Sequence, residues 1–412
     1  MPKEEKTNLY YKARSLLSCS VIPDDNFDNY SFCKLLALHV KSNSLHASEL
    51  KLQSMYYEDE YDRFTFLFYH VGDWEEAEKL LLVQVDWRTT MFGAEAPKTL
   101  VSINNLACTY RNQGRWDEAE KLEVDVMNAR KAKLGSDHPE TLSSMANLAS
   151  TYKNQERWDE AEKLEVDIMN TQEAKLESDT LTSMANLAST YWNQGRWDEA
   201  EKLQVDVMNA SKAKLGSNHP DTLSSMANLA STYNNQGRWD EAEKLQVDVM
   251  NTFKAKLGSD HPNTLTSMAN LASTYRNQGR WDEAEKLQVD VTVNASKAKL
   301  GSDHPDTLSN MASLASTYNN QGRWDEAEKL FVDVMNASKT RLGSDHPNTL
   351  MSMANLALTY SSQGRLHEAY SLLFPAIQTM QQVMGTYHPT VLHYTEELNK
   401  LSRNMKQHKE SQ

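Results

Sequence analysis

The residues in this sequence best suited to chemistry are six histidines that recur along the chain, each followed by a proline. Histidine is a common metal ligand and titrates near neutral pH, so such a row is compatible with a metal-binding or pH-sensitive edge. The alternative is structural, because proline suits the first position of a helix and His-Pro therefore also marks a helix start. The six are His138, His219, His261, His304, His346 and His388.

The structural interpretation is the stronger one. Histidines in neighbouring repeats would lie about 10 Å apart, the packing distance of helices, which is too far for them to share one zinc ion. The sequence also has no GxxxxGK[ST] or GxGxxG nucleotide loop, and no Ser/His/Asp or Cys/His set that is not simply repeated. We therefore expect no catalytic residue, no metal and no cofactor, and we expect that the protein is not an enzyme.

The elements that carry these residues form a tandem array. The core motif RWDEAEKL and its relatives recur at steps of 42, 42, 39, 42, 42, 43 and 42 residues. A fixed period in this range indicates a solenoid, in which each unit buries its apolar face only by stacking on its neighbours. The aligned positions are Trp74, Trp116, Trp158, Trp197, Trp239, Trp281, Trp324 and Leu366.

Each unit is predicted to contain two helices. In one repeat the first helix is expected over 220–236, capped by Asn218 and stopped by Gly237. Apolar residues at three-to-four spacing define its buried face, namely Leu223, Met226, Leu229, Ala230 and Tyr233. The second helix is expected over 239–256, with a buried stripe of Trp239, Ala242, Leu245 and Val249. We interpret the tryptophans as packing residues and the acidic DEAE runs as solvated helix starts.

These residues resemble the tetratricopeptide repeat (TPR). Leu229, Ala230, Tyr233, Gly237, Ala242 and Val249 match its small and aromatic positions, and the phrases NNLA (Asn104–Ala107), EAEKL and LGSDHP look like the kinesin-light-chain class. Similar arrays form the C-terminal part of fungal NB-ARC/TPR proteins, which are receptor-like NTPases. The resemblance implies an all-α, right-handed α-α superhelix of about eight repeats, whose first helices line a concave peptide-binding groove.

Three segments are expected along the chain. Residues 1–60 form an N-terminal helical cap with helices at Leu9–Val21, Phe32–Val40 and Leu45–Tyr56. Residues 61–387 form the TPR array, which opens with a degenerate repeat whose core positions are Tyr61, Phe64 and Phe68. Residues 388–412 form a C-terminal capping helix, about Pro389–Met405, and a tail.

Four irregularities test the repeat assignment. The linker Leu176–Leu181 lacks His-Pro, so Ser178 or Asp179 should cap the next helix. One extra residue within Val289–Ser296 predicts a π-bulge near Val291–Val293, or slack at the helix end. Glu156 replaces the turn glycine, which costs about 1 kcal/mol if its φ is positive. Pro375, inside a second helix, should kink it.

Composition excludes several partner classes. The chain has a formal net charge of −14, which argues against a nucleic-acid groove. No apolar run approaches the length of a transmembrane helix, and the N-terminus lacks the apolar core of a signal peptide, so we expect no membrane insertion. Three cysteines, Cys19, Cys33 and Cys108, fit a reducing compartment, so we expect a cytoplasmic protein.

The candidate binding surface is the exposed side of the first helices. On one helix it should combine Ser224, Ala227, Asn228, Ser231, Asn234 and Asn235. An asparagine offers both a donor and an acceptor and can hold a peptide backbone, as the matching residue does in related TPR families. It can equally bond to the neighbouring repeat, and both interpretations stay open. The asparagines are Asn105, Asn147, Asn186, Asn228, Asn270 and Asn355, with Ser313 interrupting the series.

The residue after each repeat tyrosine varies while its neighbours barely change. This position is either a specificity determinant in the groove or a tolerant surface site. If it is functional, three cations and one aromatic residue favour a peptide with acidic and aromatic side chains. They are Arg111, Lys153, Arg276 and Trp192.

The leading hypothesis is therefore a non-enzymatic scaffold that binds a protein or peptide segment in the concave groove. A second hypothesis is the sensor part of a fungal NB-ARC-type receptor, separated from its NTPase. A third is a kinesin-light-chain-like cargo adaptor, against which counts the lack of an N-terminal heptad coiled coil.

Overall fold

The computed structural model describes residues 3–21, 30–49, 58–175, 180–291, 305–386 and 388–410. These residues contain nineteen α-helices and no β-strand, so the predicted all-α fold of stacked helix pairs is confirmed. The chain divides into two compact units, Met1–Arg196 and Trp197–Gln412. The expected division into a cap over 1–60, an array over 61–387 and a cap over 388–412 stays a prediction.

The first unit holds two N-terminal helices followed by stacked helix pairs. Consecutive helices pack against one another throughout it. In chain order they are α1 Lys3–Ser20, α2 Tyr30–Glu49, α3 Glu58–Val71, α4 Trp74–Phe92, α5 Pro97–Asn112, α6 Trp116–Leu134, α7 Pro139–Asn154, α8 Trp158–Lys175 and α9 Thr180–Asn193.

The second unit continues the same alternation of first and second helices and ends on a long C-terminal helix. Its helices are α10 Trp197–Leu215, α11 Pro220–Asn235, α12 Trp239–Leu257, α13 Pro262–Asn277, α14 Trp281–Val289, α15 Pro305–Asn320, α16 Trp324–Leu342, α17 Pro347–Ser362, α18 Leu366–Met384 and α19 Pro389–Glu410.

The linker histidines start the first helices. The ring Nδ1 of His219 accepts a hydrogen bond from the backbone N–H of Asp221 at 3.2 Å, which makes His219 the N-cap of α11. The prediction of Asn218 as cap is wrong, because the extended backbone that a following proline favours places the histidine ring over the first turn. The same bond forms in other linkers, at His138, His261, His346 and His388. His304 lies outside the described residues.

The turn between the two helices of a repeat requires a positive φ. Gly237 has φ +76°, and the N–H of Arg238 donates to the carbonyl of Tyr233 at 2.8 Å, which closes the end of α11. Glu156 makes the same turn with φ +60°, so the expected strained position is confirmed. A side chain rarely adopts this conformation without cost.

The core lies between first and second helices. Leu223, Leu229 and Ala230 of α11 are buried, as predicted. On α12 the buried stripe is Ala242, Gln246, Val249 and Phe253. Trp239 is 38% exposed, so its assignment to the stripe is wrong. It opens its helix just beyond the end of α11, where the neighbouring helix no longer covers the whole ring.

The irregular segments follow the expected pattern where they are described. Residues 290–291 form a π-helical turn after α14, in line with the expected bulge, and the rest of the segment, 292–304, lies outside the described residues. Ser178 and Asp179 also lie outside them, and α9 begins at Thr180. Helix α18 runs through Pro375 to Met384, and the kink expected at the proline stays a prediction.

The ends of the chain differ in detail from the expectation. Helix α2 continues to Glu49, so a separate helix beginning at Leu45 is wrong, since no glycine or proline interrupts residues 41–44. Residues 50–57 lie outside the described residues. The aromatic residues expected in the core of the degenerate first repeat are buried, namely Tyr61, Phe64 and Phe68, and its assignment as a repeat stays a prediction. In the described part of the chain, no helix is both long and apolar enough to cross a membrane.

Candidate functional site

The exposed sides of the first helices form what we call the first-helix face. It comprises the exposed sides of α5, α7 and α9 in the first unit and those of α11, α13, α15 and α17 in the second. On α11, Ser224, Asn228 and Asn235 are exposed, and Ala227 and Ser231 are partly buried. The opposite side of the helix packs into the core, so the predicted stripe is accessible.

The asparagine series divides into two groups. Two members bond within the stack: Asn147 donates to the side-chain oxygen of Asn104 at 2.9 Å, and Asn355 accepts from the hydroxyl of Tyr394 at 2.9 Å. The others make no side-chain hydrogen bond to any described residue. Of these, Asn105, Asn186 and Asn228 are exposed and Asn270 is partly buried.

Buried threonines fix the backbone beneath the asparagines. The hydroxyl of Thr232, which is fully buried, lies 2.6 Å from the side-chain oxygen of Gln204 on the preceding second helix. It also lies 3.3 Å from the backbone carbonyl of Asn228. Thr274 repeats both contacts with Gln246 and Asn270. The asparagine side chains therefore project from helices that are held in register by the core.

The variable position after the repeat tyrosine contacts the second helix of its own repeat and, at Arg111, also the first helix of the next repeat. Arg111 forms an ion pair with Glu123 at 3.2 Å and donates to the backbone carbonyl of Asn147 at 3.1 Å. Lys153 forms the matching pair with Glu165 at 2.9 Å. These two cations are therefore neutralised by carboxylates inside the stack, a pairing across twelve residues that the sequence analysis missed.

Glu123 is the most buried carboxylate of this kind, with its side chain 1% exposed. Burial raises the pKa of Glu123, and the hydrogen bond from Thr151 and the charge of Arg111 oppose that shift. A buried carboxylate needs such partners, because an unpaired one is strongly destabilising. The guanidinium of Arg111 therefore serves to pair with a buried carboxylate of the stack.

The remaining variable residues differ in environment. Asn234 and Asn319 donate to the threonine hydroxyls of the next first helix, at 2.8 Å from Thr274 and 2.9 Å from Thr359. Trp192 on α9 is 36% exposed. Arg276 is partly buried and faces no carboxylate among the described residues, and burial lowers the pKa of its guanidinium.

A cavity of about 770 Å³ lies beside Asn105 in the first unit. Phe66, Tyr69, Val101 and Cys108 supply its apolar lining, and burial raises the pKa of the Cys108 thiol. Asp59, Asp62, Arg88 and Lys98 also line it, so only the apolar part of the cavity suits an apolar or aromatic side chain. The sequence analysis missed this cavity, although Phe66 stands where most later repeats have serine and Tyr69 stands at the variable position.

The inter-helix turns form a second row of contacts, which we call the turn ladder. Gln236 donates to Asp198 at 3.0 Å and to Glu201 at 2.9 Å, and Arg238 donates to Glu201 at 2.8 Å. The guanidinium of Arg238 also lies 4.2 Å from the ring centre of Tyr233. Matching glutamine and arginine pairs occur at Gln155/Arg157, Gln278/Arg280, Gln321/Arg323 and Gln363/Arg365.

The turn ladder corrects the interpretation of the DEAE runs. Their aspartates and second glutamates accept hydrogen bonds from the next repeat and are not merely solvated helix starts. Although burial opposes it, hydrogen bonds from Gln236 and Arg238 hold the pKa of Glu201 below its usual range. In the described part of the chain, no group of three or more His, Cys, Asp or Glu side chains could hold a metal ion.

Sequence models described as tetratricopeptide repeat match both units. The matched residues are 99–140, 141–179, 179–245, 224–291 and 306–382. Together they cover more than half of the chain. No curated protein matches it.

Several solved structures are similar to this chain. The apo quorum sensor NprR from B. thuringiensis is 14% identical with a TM-score of 0.55, over 86% of this chain and 98% of that one. PH0952 from Pyrococcus horikoshii, a signal transduction ATPase with a tetratricopeptide repeat sensor, is 15% identical with a TM-score of 0.54, over 90% of this chain and 55% of that one. A kinesin-light-chain-like protein from Podosopora anserina with nearly identical TPR-like repeats is 32% identical with a TM-score of 0.45, over 50% and 96%.

Proposed function

Because the chain belongs to the tetratricopeptide repeat family, we propose that it is a non-enzymatic scaffold that binds a partner peptide or protein segment along its first-helix face. The observation that carries the proposal is the recurrence of exposed asparagines with no side-chain hydrogen bond to any described residue, at the same position of three first helices, α5, α9 and α11. They are Asn105, Asn186 and Asn228.

Asparagine suits this role because its amide both donates and accepts. A peptide backbone also carries one donor and one acceptor per residue, so an asparagine can hold it whatever its side chains are. Each such hydrogen bond contributes about 1 kcal/mol net, so several repeats must act together. The recurrence of the residue along the array meets that requirement.

The partner segment is proposed to carry an aromatic or apolar residue and acidic residues. The cavity beside Asn105 supports the aromatic or apolar residue, since aromatic and aliphatic side chains form part of its lining. Trp192, 36% exposed on α9, offers a further aromatic surface. Arg276, a partly buried cation without a carboxylate partner among the described residues, supports the acidic residues.

The test is an affinity pull-down with mass spectrometry on the full chain and two variants of equal composition. One variant carries Asn105→Ala, Asn186→Ala and Asn228→Ala on the first helices. The control carries three asparagine-to-alanine changes at exposed positions of the second helices, at Asn128, Asn209 and Asn251. Circular dichroism confirms that both are folded.

We expect specific partners to be lost from the first-helix variant and retained by the control. Partners retained by both variants, or lost equally from both, would contradict the proposal, because binding would then not depend on this face.

A sensor role within a signalling ATPase is the second proposal. The structural likeness to PH0952, which extends over 90% of this chain, supports a shared fold for the two proteins. The same pull-down tests the role: enrichment of a P-loop ATPase supports it, and its absence from partners that depend on the first-helix face counts against it. We also propose a cytoplasmic location, which the three free cysteines, Cys19, Cys33 and Cys108, support.

A further inference from the structure

Arg276 is a cation that has a neutral glutamine where the matching cations of the first unit have a glutamate. In the first unit, the residue after the repeat tyrosine pairs with a second-helix residue twelve positions later, as Arg111 does with Glu123. Lys153 and Glu165 form the same pair. In the second unit, Arg276 occupies this position on α13, but the residue twelve positions later on α14 is Gln288.

Gln288 does not compensate the charge. It is 5% exposed, and its side-chain oxygen accepts a hydrogen bond from Thr317 at 2.7 Å. The nearest acceptor that Arg276 reaches is the backbone carbonyl of Ser313 on α15, at 3.5 Å from its Nη1. Among the described residues no carboxylate pairs with this guanidinium.

The burial of Arg276 makes the missing charge partner significant. The side chain is only partly exposed, and burial lowers the pKa of its guanidinium. An arginine stays charged in proteins, so it keeps the cost of desolvation until an anion pairs with it. A carboxylate supplied by a ligand would form a charge-assisted hydrogen bond there, which is stronger than a neutral one.

The neighbouring repeat carries a shorter side chain next to Arg276 than the other repeats do. Ser313 interrupts the asparagine series at the position next to Arg276, and serine is shorter than asparagine. Ser313, whose backbone carbonyl lies 3.5 Å from Nη1 of Arg276, also carries a hydroxyl that can donate a hydrogen bond. Since the chain carries a net charge of −14, a preference for an acidic ligand has to come from a local cation of this kind.

We infer that Arg276 and Ser313 form a carboxylate subsite on the first-helix face, which takes one aspartate or glutamate side chain of the bound peptide. This inference rests on the proposed function. It makes Arg276 a specificity-determining residue, whereas Arg111 and Lys153 serve the stack.

Two substitutions remove the subsite by copying pairings that occur elsewhere in the array. Gln288→Glu reproduces the Arg111–Glu123 pair and neutralises Arg276 from within. Arg276→Asn copies the residues of the preceding repeat, in which Asn234 is followed twelve positions later by Gln246, and it removes the cation. Glu123→Gln is the converse, because it frees Arg111 and should create a second acid-preferring position in the first unit.

The probe is a random 12-residue library displayed on phage, with each peptide joined to the coat protein through its C-terminus. A carboxylate that binds must then come from a side chain. Peptides are selected on the full chain, synthesised with capped ends, and measured by fluorescence anisotropy. Each acidic residue is replaced in turn by its amide.

We expect one acidic residue per peptide whose amide replacement weakens binding about tenfold, the scale of one charge-assisted contact. With Gln288→Glu and Arg276→Asn, the acid and amide peptides should bind alike. An acid preference that persists in both variants, or no acid preference on the full chain, would overturn the inference.

The test separates the inference from the proposed function. Peptides that bind the full chain and are lost with the Asn105, Asn186 and Asn228 alanine variant, but show no dependence on Arg276, leave the scaffold proposal standing and refute the subsite. Failure to select any peptide that depends on the first-helix face refutes both.

Discussion

The turn ladder and the first-helix face are built from the same repeat but are used differently. Along the turn ladder of the second unit, the glutamine-to-glutamate distances lie between 2.8 and 2.9 Å and the arginine-to-glutamate distances between 2.7 and 2.9 Å. On the first-helix face the variable position changes residue type, partner and exposure from one repeat to the next. The comparison shows that the polar contacts between repeats are constant in the turns and variable on the first-helix face.

This separation has a physical basis. A solenoid is stabilised by the interfaces between neighbouring repeats, so each of these interfaces needs similar stabilising contacts. The turn ladder supplies them in every repeat with glutamine, arginine and tyrosine. The side chains of the first-helix face are then less constrained by stacking, and a subset of them can serve binding.

The largest expected effect comes from breaking the turn ladder. Arg238→Ala combined with Arg280→Ala removes four guanidinium–carboxylate contacts, two of them between repeats, and two arginine–tyrosine contacts, so it should lower the free energy of unfolding by about 2–4 kcal/mol. Urea unfolding followed by circular dichroism measures this. The matched control, Asn228→Ala with Asn270→Ala on the face, should change stability by less than about 0.5 kcal/mol. Equal losses in the two variants would show that the two surfaces are not distinct.

Lowering the pH should remove the stabilising contribution of the turn-ladder glutamates. Hydrogen bonds from the turns lower the pKa of Glu201, Glu243 and Glu285 against the opposing effect of burial. A carboxylate with a lowered folded-state pKa stabilises the fold above its unfolded-state value of about 4.3 and loses that contribution as the pH falls through the folded-state value.

The urea midpoint should therefore stay level between about pH 7 and pH 5 and fall below about pH 4. The Arg238→Ala, Arg280→Ala variant should show a shallower acid decline, because its glutamates titrate closer to their unfolded values. Parallel pH profiles for the variant and the native chain would contradict this assignment.

The strained turn offers a gain in stability. Glu156→Gly should raise the free energy of unfolding by about 1 kcal/mol, because glycine adopts φ +60° without a side-chain penalty. The converse, Gly237→Ala, should cost about 1 kcal/mol. A Cβ at Gly237 meets no atom within 4 Å, so this cost would come from the backbone alone. Thermal unfolding of both variants checks the sign, and a neutral Glu156→Gly would remove strain as the explanation.

The smallest expected effect distinguishes members of the asparagine series. Asn147→Ala removes the bond to Asn104 and should cost about 0.5–1.5 kcal/mol of stability. Asn228→Ala, at an exposed position without such a bond, should cost less than that and weaken partner binding more. If the two substitutions were interchangeable in both measurements, the division of the series into stacking and binding members would be wrong.

The sequence predicts the positions of the helices well and the side-chain contacts between helices poorly. Spacing alone places the helices of each repeat, because buried residues such as Leu229 and Ala242 recur with the helical period. The cap at His219 was missed because it depends on the ring position that a following proline imposes. The exposure of Trp239 depends on where the neighbouring helix ends.

The pairing of Arg111 with Glu123, and the lack of such a pair at Arg276, could be read only in part from the sequence. Both members of each pair are visible twelve residues apart. Their contact depends on the angle between two packed helices, which the hydrophobic period does not define. The asparagines show the same problem, since Asn147 and Asn228 occupy matching positions and differ only in what the preceding repeat offers them.

The most direct test of the account is a calorimetric titration of one partner segment, identified by the pull-down, into three proteins. These are the native chain, the first-helix variant with alanine at Asn105, Asn186 and Asn228, and the second-helix control with alanine at Asn128, Asn209 and Asn251. Loss of two or three hydrogen bonds should weaken binding to the first-helix variant about 10- to 100-fold and leave the control within about twofold of the native chain. An unchanged affinity in the first-helix variant, with an intact fold, would contradict the claim that this face binds the partner.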